Sequence, residues 1–135
     1  MSREQHHPEP EGELLLRTLA MPADTNANGD IFGGWIMSQM DIAGGLLAKQ
    51  VSRGRTCTVS VEGMTFHRPV AVGDAVCVYG QLSRRGRTSM QIALEVWVRP
   101  ITDGSDDHYC VTEALFNYVA IDDNGRPRPL PPLEA

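Results

Sequence analysis

Two hydrophobic periods divide the chain. Residues 31–48 read IFGGWIMSQMDIAGGLLA, an uncharged run broken by one acid, Asp41. Ile36, Met40, Ala43 and Leu47 recur at helical spacing, while Met37, Asp41, Gly44 and Ala48 share a second face. This predicts one long helix from Gly33 to about Val51, apolar nearly all round and so enclosed by other structure. Beyond it the period falls to two. Residues 56–66 place Cys57, Val59 and Val61 on one face, and Gly63 predicts a bulge, after which Met64 and Phe66 take over. Residues 75–82 are almost continuously apolar. Residues 88–98 alternate through Met90, Ile92, Leu94, Val96 and Val98, with Trp97 as the exception, and 109–121 make a last strand. Ahead of the helix, 14–20 form a first strand, and 21–30, rich in Pro, Asn, Asp and Gly, form a turn.

The order is therefore strand, helix, then four strands. Short connections between strands favour antiparallel neighbours. The expected class is α+β, a curved antiparallel sheet wrapped around one helix. Such a sheet has exposed edges, and pairing between protomers would cover one, so at least a dimer is expected. The 135 residues fit one domain, and 41% hydrophobic residues suffice for a core. Residues 1–12 are polar and read as a disordered tail, 13–125 as the folded domain, and 126–135 as a proline-rich C-terminal tail unable to fold by itself.

Charge and cysteine usage narrow the function. The net charge of −5 argues against a nucleic-acid partner. Cys57, Cys77 and Cys110 lack CxxC spacing and sit in apolar surroundings, so they read as reduced core residues. The N-terminus has no apolar signal core, and Ser38, Gln39, Asp41 and four glycines make 31–48 a poor membrane span. A soluble, cytoplasmic protein follows. His6 and His7 read as tail residues, and nothing nearby completes a metal site. No nucleophile elbow, phosphate-binding loop, dinucleotide fingerprint or zinc motif occurs.

A metal-free reaction run by a carboxylate remains open. Gly33-Gly34-Trp35 opens the helix, where first-turn amides have no helical partner and the dipole adds positive charge. Aimed at a carbonyl oxygen, they would stabilise developing negative charge. Asp41 lies about two turns further on, too far to cap its own helix. It could act as general base toward water, or as nucleophile, on a carbonyl held by a neighbouring protomer. Asn26, or less so Asn28, could orient the water or the carbonyl. The structural alternatives are a loop-bracing acid for Asp41 and turn residues for Asn26 and Asn28. A second cluster, Arg84-Arg85-Gly86-Arg87-Thr88-Ser89, suits phosphate recognition at a hairpin, or is a solvated basic turn. His67 and His108 read as surface or packing residues.

The stretch LLLRTLAMPADTNANGDIFGGWIMSQMDIAGG, followed by TVSVEGMTFHRPVAVGD, GRTSMQIALEVWV and YCVTEALFNYVAIDDNGRPRPLP, resembles the YciA-type acyl-coenzyme A thioesterases of the ACOT-type hotdog family. The resemblance covers roughly Leu14 to Pro131. It implies five antiparallel strands around one helix, with active sites at a dimer interface and commonly a trimer of dimers, a homohexamer. It implies hydrolysis of acyl-CoA to free acid and coenzyme A, as in fatty acid metabolism. Chain-length tolerance would be broad, and no cofactor is needed beyond the coenzyme A of the substrate. The family's catalytic aspartate falls on Asp41, its partner asparagine on Asn26, and its carbonyl-polarising glycines on Gly33 and Gly34, with Gly34 preferred. The coenzyme A hairpin falls on Arg84–Ser89. Two rivals stand beside the hydrolase: a hotdog module that binds acyl-CoA without turning it over, and a hydratase or dehydratase, which would want a histidine in the 26–45 block where none occurs.

Overall fold

The computed structural model describes residues 9–101 and 107–133. Among these the chain forms β1 (Glu13–Leu19), a single 3-10 turn (Pro22–Asp24), α1 (Gly33–Ser52), β2 (Thr56–Phe66), β3 (Ala75–Arg85), β4 (Ser89–Arg99) and β5 (Tyr109–Ala120). The strands pair antiparallel in the order β1-β3-β4-β5-β2, with β1 and β2 at the edges. The α+β architecture expected from the two periods is the one observed.

Alternation decides which side chains meet the helix. Met90, Ile92, Leu94, Val96 and Val98 of β4 are all buried against it, as are Ala114, Phe116 and Tyr118 of β5. From α1 the predicted face of Ile36, Met40, Ala43 and Leu47 closes the same core. The helix touches all five strands, so the sheet embraces it. Trp97 breaks the alternation for a local reason. It is buried on the outer face, its indole donates to Glu95 Oε1 at 2.8 Å, and its ring meets His108 edge-on at 5.0 Å.

Four expectations change. First, β2 is not a core strand: apart from half-buried Thr56 and Met64 it is exposed throughout, because among the described residues it pairs only with β5 and nothing covers its far edge. Cys57 is accordingly exposed, Cys77 half-buried and only Cys110 buried; all three are thiols. The bulge predicted at Gly63 is present, with φ +69° and a register shift between Glu62 and Thr65. Second, β3 runs to Arg85, so the β3–β4 turn is tighter than the sequence suggested.

Third, residues 126–133 are not a loose tail. Arg128 N donates to Ala120 O and Leu130 N to Arg87 O, both at 2.9 Å, and Leu130 enters the core. The backbone strap satisfies itself against β5 and the β3–β4 turn, which a proline-rich segment can do without a strand of its own. Fourth, residues 9–12 lie against the outer face, where Glu11 N donates to Glu95 Oε1 at 3.3 Å. The disordered tail expected over 1–8, with His6 and His7, and the last two residues, 134–135, fall outside the described residues.

Candidate active site

The loop before α1 is fastened at three points. Asn26 N donates to Asp30 O at 2.8 Å, Ile31 N to Val70 O at 2.9 Å and Phe32 N to Asp24 O at 2.7 Å. Inside it the Asn26 carboxamide oxygen accepts from Asn28 N at 2.8 Å and Asp30 N at 3.2 Å. Those two amides identify the oxygen end and leave the Asn26 amide nitrogen as a donor. Asn28 is exposed at the turn, and its part in the loop is the backbone bond to Asn26.

α1 begins without a cap. Phe32 makes no side-chain cap bond, and the first turn holds no acid. Trp35 N and Ile36 N reach back to Phe32 O, while Gly33 N and Gly34 N have no acceptor among the described residues. A Cβ at Gly33 would touch the Phe66 ring at 3.6 Å, and one at Gly34 would press on the Phe32 ring at 3.3 Å. Asn26, Gly33, Phe66 and His67 line a hollow of about 310 Å³ at this helix start. The Gly33 amide, the positive end of the dipole and the Asn26 amide are donors at this hollow, and the Gly34 amide follows one residue on, outside its lining.

Asp41 stands two turns along α1, half-buried and facing β2 and β5. The Thr58 hydroxyl donates to Asp41 Oδ1 at 2.6 Å. The Tyr118 hydroxyl lies 3.0 Å from the same Oδ1 and 3.0 Å from the Asp41 carbonyl oxygen. Oδ2 has no partner among the described residues. Burial, then the charge of Asp41, then the hydrogen bond to it push Tyr118 ionisation far above the usual phenol range, against a smaller opposing effect of Thr58, so the hydroxyl remains a donor. A second hollow of about 310 Å³ opens beside the carboxylate, lined by Ile42, Gly45, Leu46, Lys49 and Thr56.

The two halves do not meet within one chain. Gly34 and Asp41 are seven residues apart, about 10 Å along the helix, and the hollow lined by Asn26 and Gly33 is not the one beside Asp41. The arginine hairpin is also divided. Arg84 and Arg87 are exposed, while Arg85 donates to the Pro131 carbonyl at 2.5 Å and is already engaged. Thr88 is half-buried and gives its carbonyl to Ala120 N, and Gly86 N closes the turn on Ser89 O at 2.8 Å. A Cβ at Gly86 would come within 2.7 Å of the Ser89 hydroxyl. The register runs Thr58 to Tyr118 to Met90 to Arg85, which sets the hairpin about 14 Å from Thr58 across three strand spacings.

A larger hollow, about 710 Å³, lies on the outer face among Glu62, Glu95 and Glu113. Its carboxylates would repel a phosphorylated ligand. Among the described residues no group of three His, Cys, Asp or Glu could hold a metal ion, and no helix is long and apolar enough to cross a membrane.

Comparison with known proteins decides the family. The thioesterase superfamily profile matches residues 28–105. The chain belongs to the thioesterase superfamily. It is 64% identical over 123 residues to the acyl-CoA thioester hydrolase YciA of Salmonella typhimurium, covering 90% of this chain and 92% of that protein. A hexameric thioesterase from Yersinia pestis superposes with a TM-score of 0.88 at 59% identity, covering 93% of this chain and all of that one (100%). A hexameric broad specificity acyl-coenzyme A thioesterase does so with a TM-score of 0.88 at 55% identity, covering 96% and 88%. This thioesterase thus has the hotdog fold that the resemblance implied.

The sequence singled out Asp41, Asn26, Gly33 and Gly34; the structure puts Asn26 and Gly33 at one hollow and Asp41 at another, while Gly34 lines neither. It missed Thr58 and Tyr118. Both fall on strand positions with ordinary alternation, and only the β2–β5 register brings them to the same oxygen of Asp41.

Proposed function

We propose that this thioesterase hydrolyses acyl-coenzyme A thioesters at a site shared between two protomers, broad in acyl chain length. The observation that carries the proposal is the Asp41 carboxylate, held through Oδ1 by Thr58 and Tyr118 beside an open hollow, with Oδ2 unengaged among the described residues. Oδ2 takes a proton from water as water attacks the thioester carbon, or it attacks that carbon directly to give an acyl-enzyme anhydride that water then opens. In both routes the carbon–sulfur bond breaks and coenzyme A leaves as the thiol after gaining a proton. The oxyanion is met by the Gly34 amide, with Gly33 beside it, at the partner's helix start. The Asn26 amide, whose oxygen is spent on its own loop, donates to the same oxyanion.

Assembly follows from the edge. β2 offers unpaired backbone groups along one side, with Val59 and Val61 exposed on it and Ile42 and Leu46 exposed on the helix beside it. Pairing of two β2 edges covers them and brings one protomer's Asp41 toward its partner's helix start. The solved relatives named above are hexamers, and a trimer of such dimers is the assembly proposed here. Arg84 and Arg87 are exposed at the hairpin, where they meet the phosphates of coenzyme A, whereas Arg85 supports it from behind through Pro131. Carboxylate, water and amides suffice for the reaction without metal or redox cofactor. The thiol state of the three cysteines fits a reducing compartment such as the cytoplasm.

Asp41→Asn tests the reading. The variant is expected to fold and bind coenzyme A while kcat falls by about 10³-fold or more, read as thiol release from short and long acyl-CoA. Turnover near wild type would remove Asp41 from the chemistry. Turnover absent from the wild-type protein as well would leave a binding module.

A further inference from the structure

The phenol of Tyr118 is placed with more care than packing requires. The residue sits on β5, opposite Thr58 of β2 and Met90 of β4. Its ring stacks on Phe116 with centroids 6.4 Å apart, and only 2% of the residue is exposed. The hydroxyl nonetheless crosses from sheet to helix. It does so over Gly44, where an added Cβ would overlap the oxygen and lie 3.0 Å from Cζ. A glycine inside a helix costs stability relative to alanine, and here the space it leaves is the space the hydroxyl uses. The oxygen then has two acceptors, the carbonyl and Oδ1 of Asp41, each at 3.0 Å.

We propose that Tyr118 is a positioning residue for the hydrolysis. Together with Thr58 it pins Asp41 through Oδ1, fixing the carboxylate plane and leaving Oδ2 as the oxygen that reacts. This rests on the reading of Asp41 given above. Two donors on one oxygen define the carboxylate's rotation, since the backbone of α1 fixes one end and β2 and β5 fix the other. Loss of one donor leaves a carboxylate held by a single contact and able to turn. Tyr118 lines the hollow beside Asp41 but is only 2% exposed, and its hydroxyl is taken up by Asp41, so the effect is expected in kcat.

Tyr118→Phe keeps the ring, its stacking and its burial. Its expected result is a fall in kcat of about tenfold with KM changed less than about twofold, while the melting temperature and oligomer size stay close to wild type. Thr58→Val combined with Tyr118→Phe is expected to lose more than the product of the two single losses, because the last donor is then gone. In an Asp41→Asn background the residual rate should not respond to Tyr118→Phe, because the phenol acts only through the carboxylate. A kcat equal to wild type in the single variant overturns the proposal even when Asp41→Asn is inactive. So does an undiminished effect of Tyr118→Phe in the Asp41→Asn background, which would mean a general loosening of the fold. An active Asp41→Asn enzyme would instead overturn the underlying reading of the site.

Discussion

Adjacent residues of one type can carry different burdens, and Gly44 and Gly45 do. Gly44 faces the sheet, with the Tyr118 hydroxyl and Leu94 pressed against it. Gly45 lines the hollow beside Asp41, where an added Cβ would meet only the Lys49 ammonium at 3.7 Å. Alanine at 45 gains about 1 kcal/mol of helix propensity, whereas alanine at 44 gains the same but overpacks by about 1–3 kcal/mol and displaces the phenol. Gly45→Ala is therefore expected to raise the urea midpoint and Gly44→Ala to lower both midpoint and turnover; the reverse order would refute the packing argument. The sequence showed the glycine pair and its cost but could not separate the two, because the separation depends on a β5 side chain 74 positions beyond Gly44. Asp41, Asn26, Gly33 and Gly34 were legible for the opposite reason. They lie within one short segment whose chemistry is local: a lone acid, a turn and an uncapped helix start.

At the scale of elements, the two ends of α1 are built differently. The start is open, with free amides and no cap. The end is closed twice. Arg53 takes the left-handed conformation at φ +58° and returns its N–H to Lys49 O at 2.8 Å. Arg128 then reaches in from the C-terminal strap and donates to Ser52 O at 3.0 Å, Ile121 O at 2.9 Å and Arg55 O at 3.2 Å. Gly54 leaves the room, since a Cβ there would overlap the guanidinium. One planar fork thus ties the end of α1 to the residue before β2 and the residue after β5, which a lysine ammonium cannot reproduce. Arg128→Ala should destabilise the fold by about 2 kcal/mol, and Arg128→Lys should recover little of it, both measured by urea denaturation. An unchanged midpoint in Arg128→Ala would reduce the strap to decoration. The sequence hid this role because prolines signal the absence of strand and helix, and the strap is neither. It packs by isolated backbone bonds and one buried leucine, Leu130, features with no periodic signature.

For the whole molecule, the division of the site between two hollows has a consequence that a single chain cannot escape. If Asp41 acts on a carbonyl gripped by the partner's helix start, then each active site draws Asp41 from one protomer and Asn26 from the other. Two differently damaged subunits can then repair each other. Asn26→Asp suits the test because the carboxylate keeps an oxygen for Asn28 N and Asp30 N, so the loop holds, while the donating amide is lost. Asp41→Asn supplies the complementary lesion. Each variant by itself should be nearly inactive. In a dimer formed from one of each, one site carries both lesions and the other carries none. With random pairing half the dimers are hybrids, and about a quarter of wild-type turnover should return on co-expression. The assay is thiol release from purified, doubly tagged oligomers, with each variant alone as the reference. Were the mixture to remain as inactive as its parts, the catalytic groups would have to come from one chain. The separation between the hollow at Asn26 and the hollow at Asp41 would then have to be closed by a movement of the loop that holds Asn26, rather than by assembly.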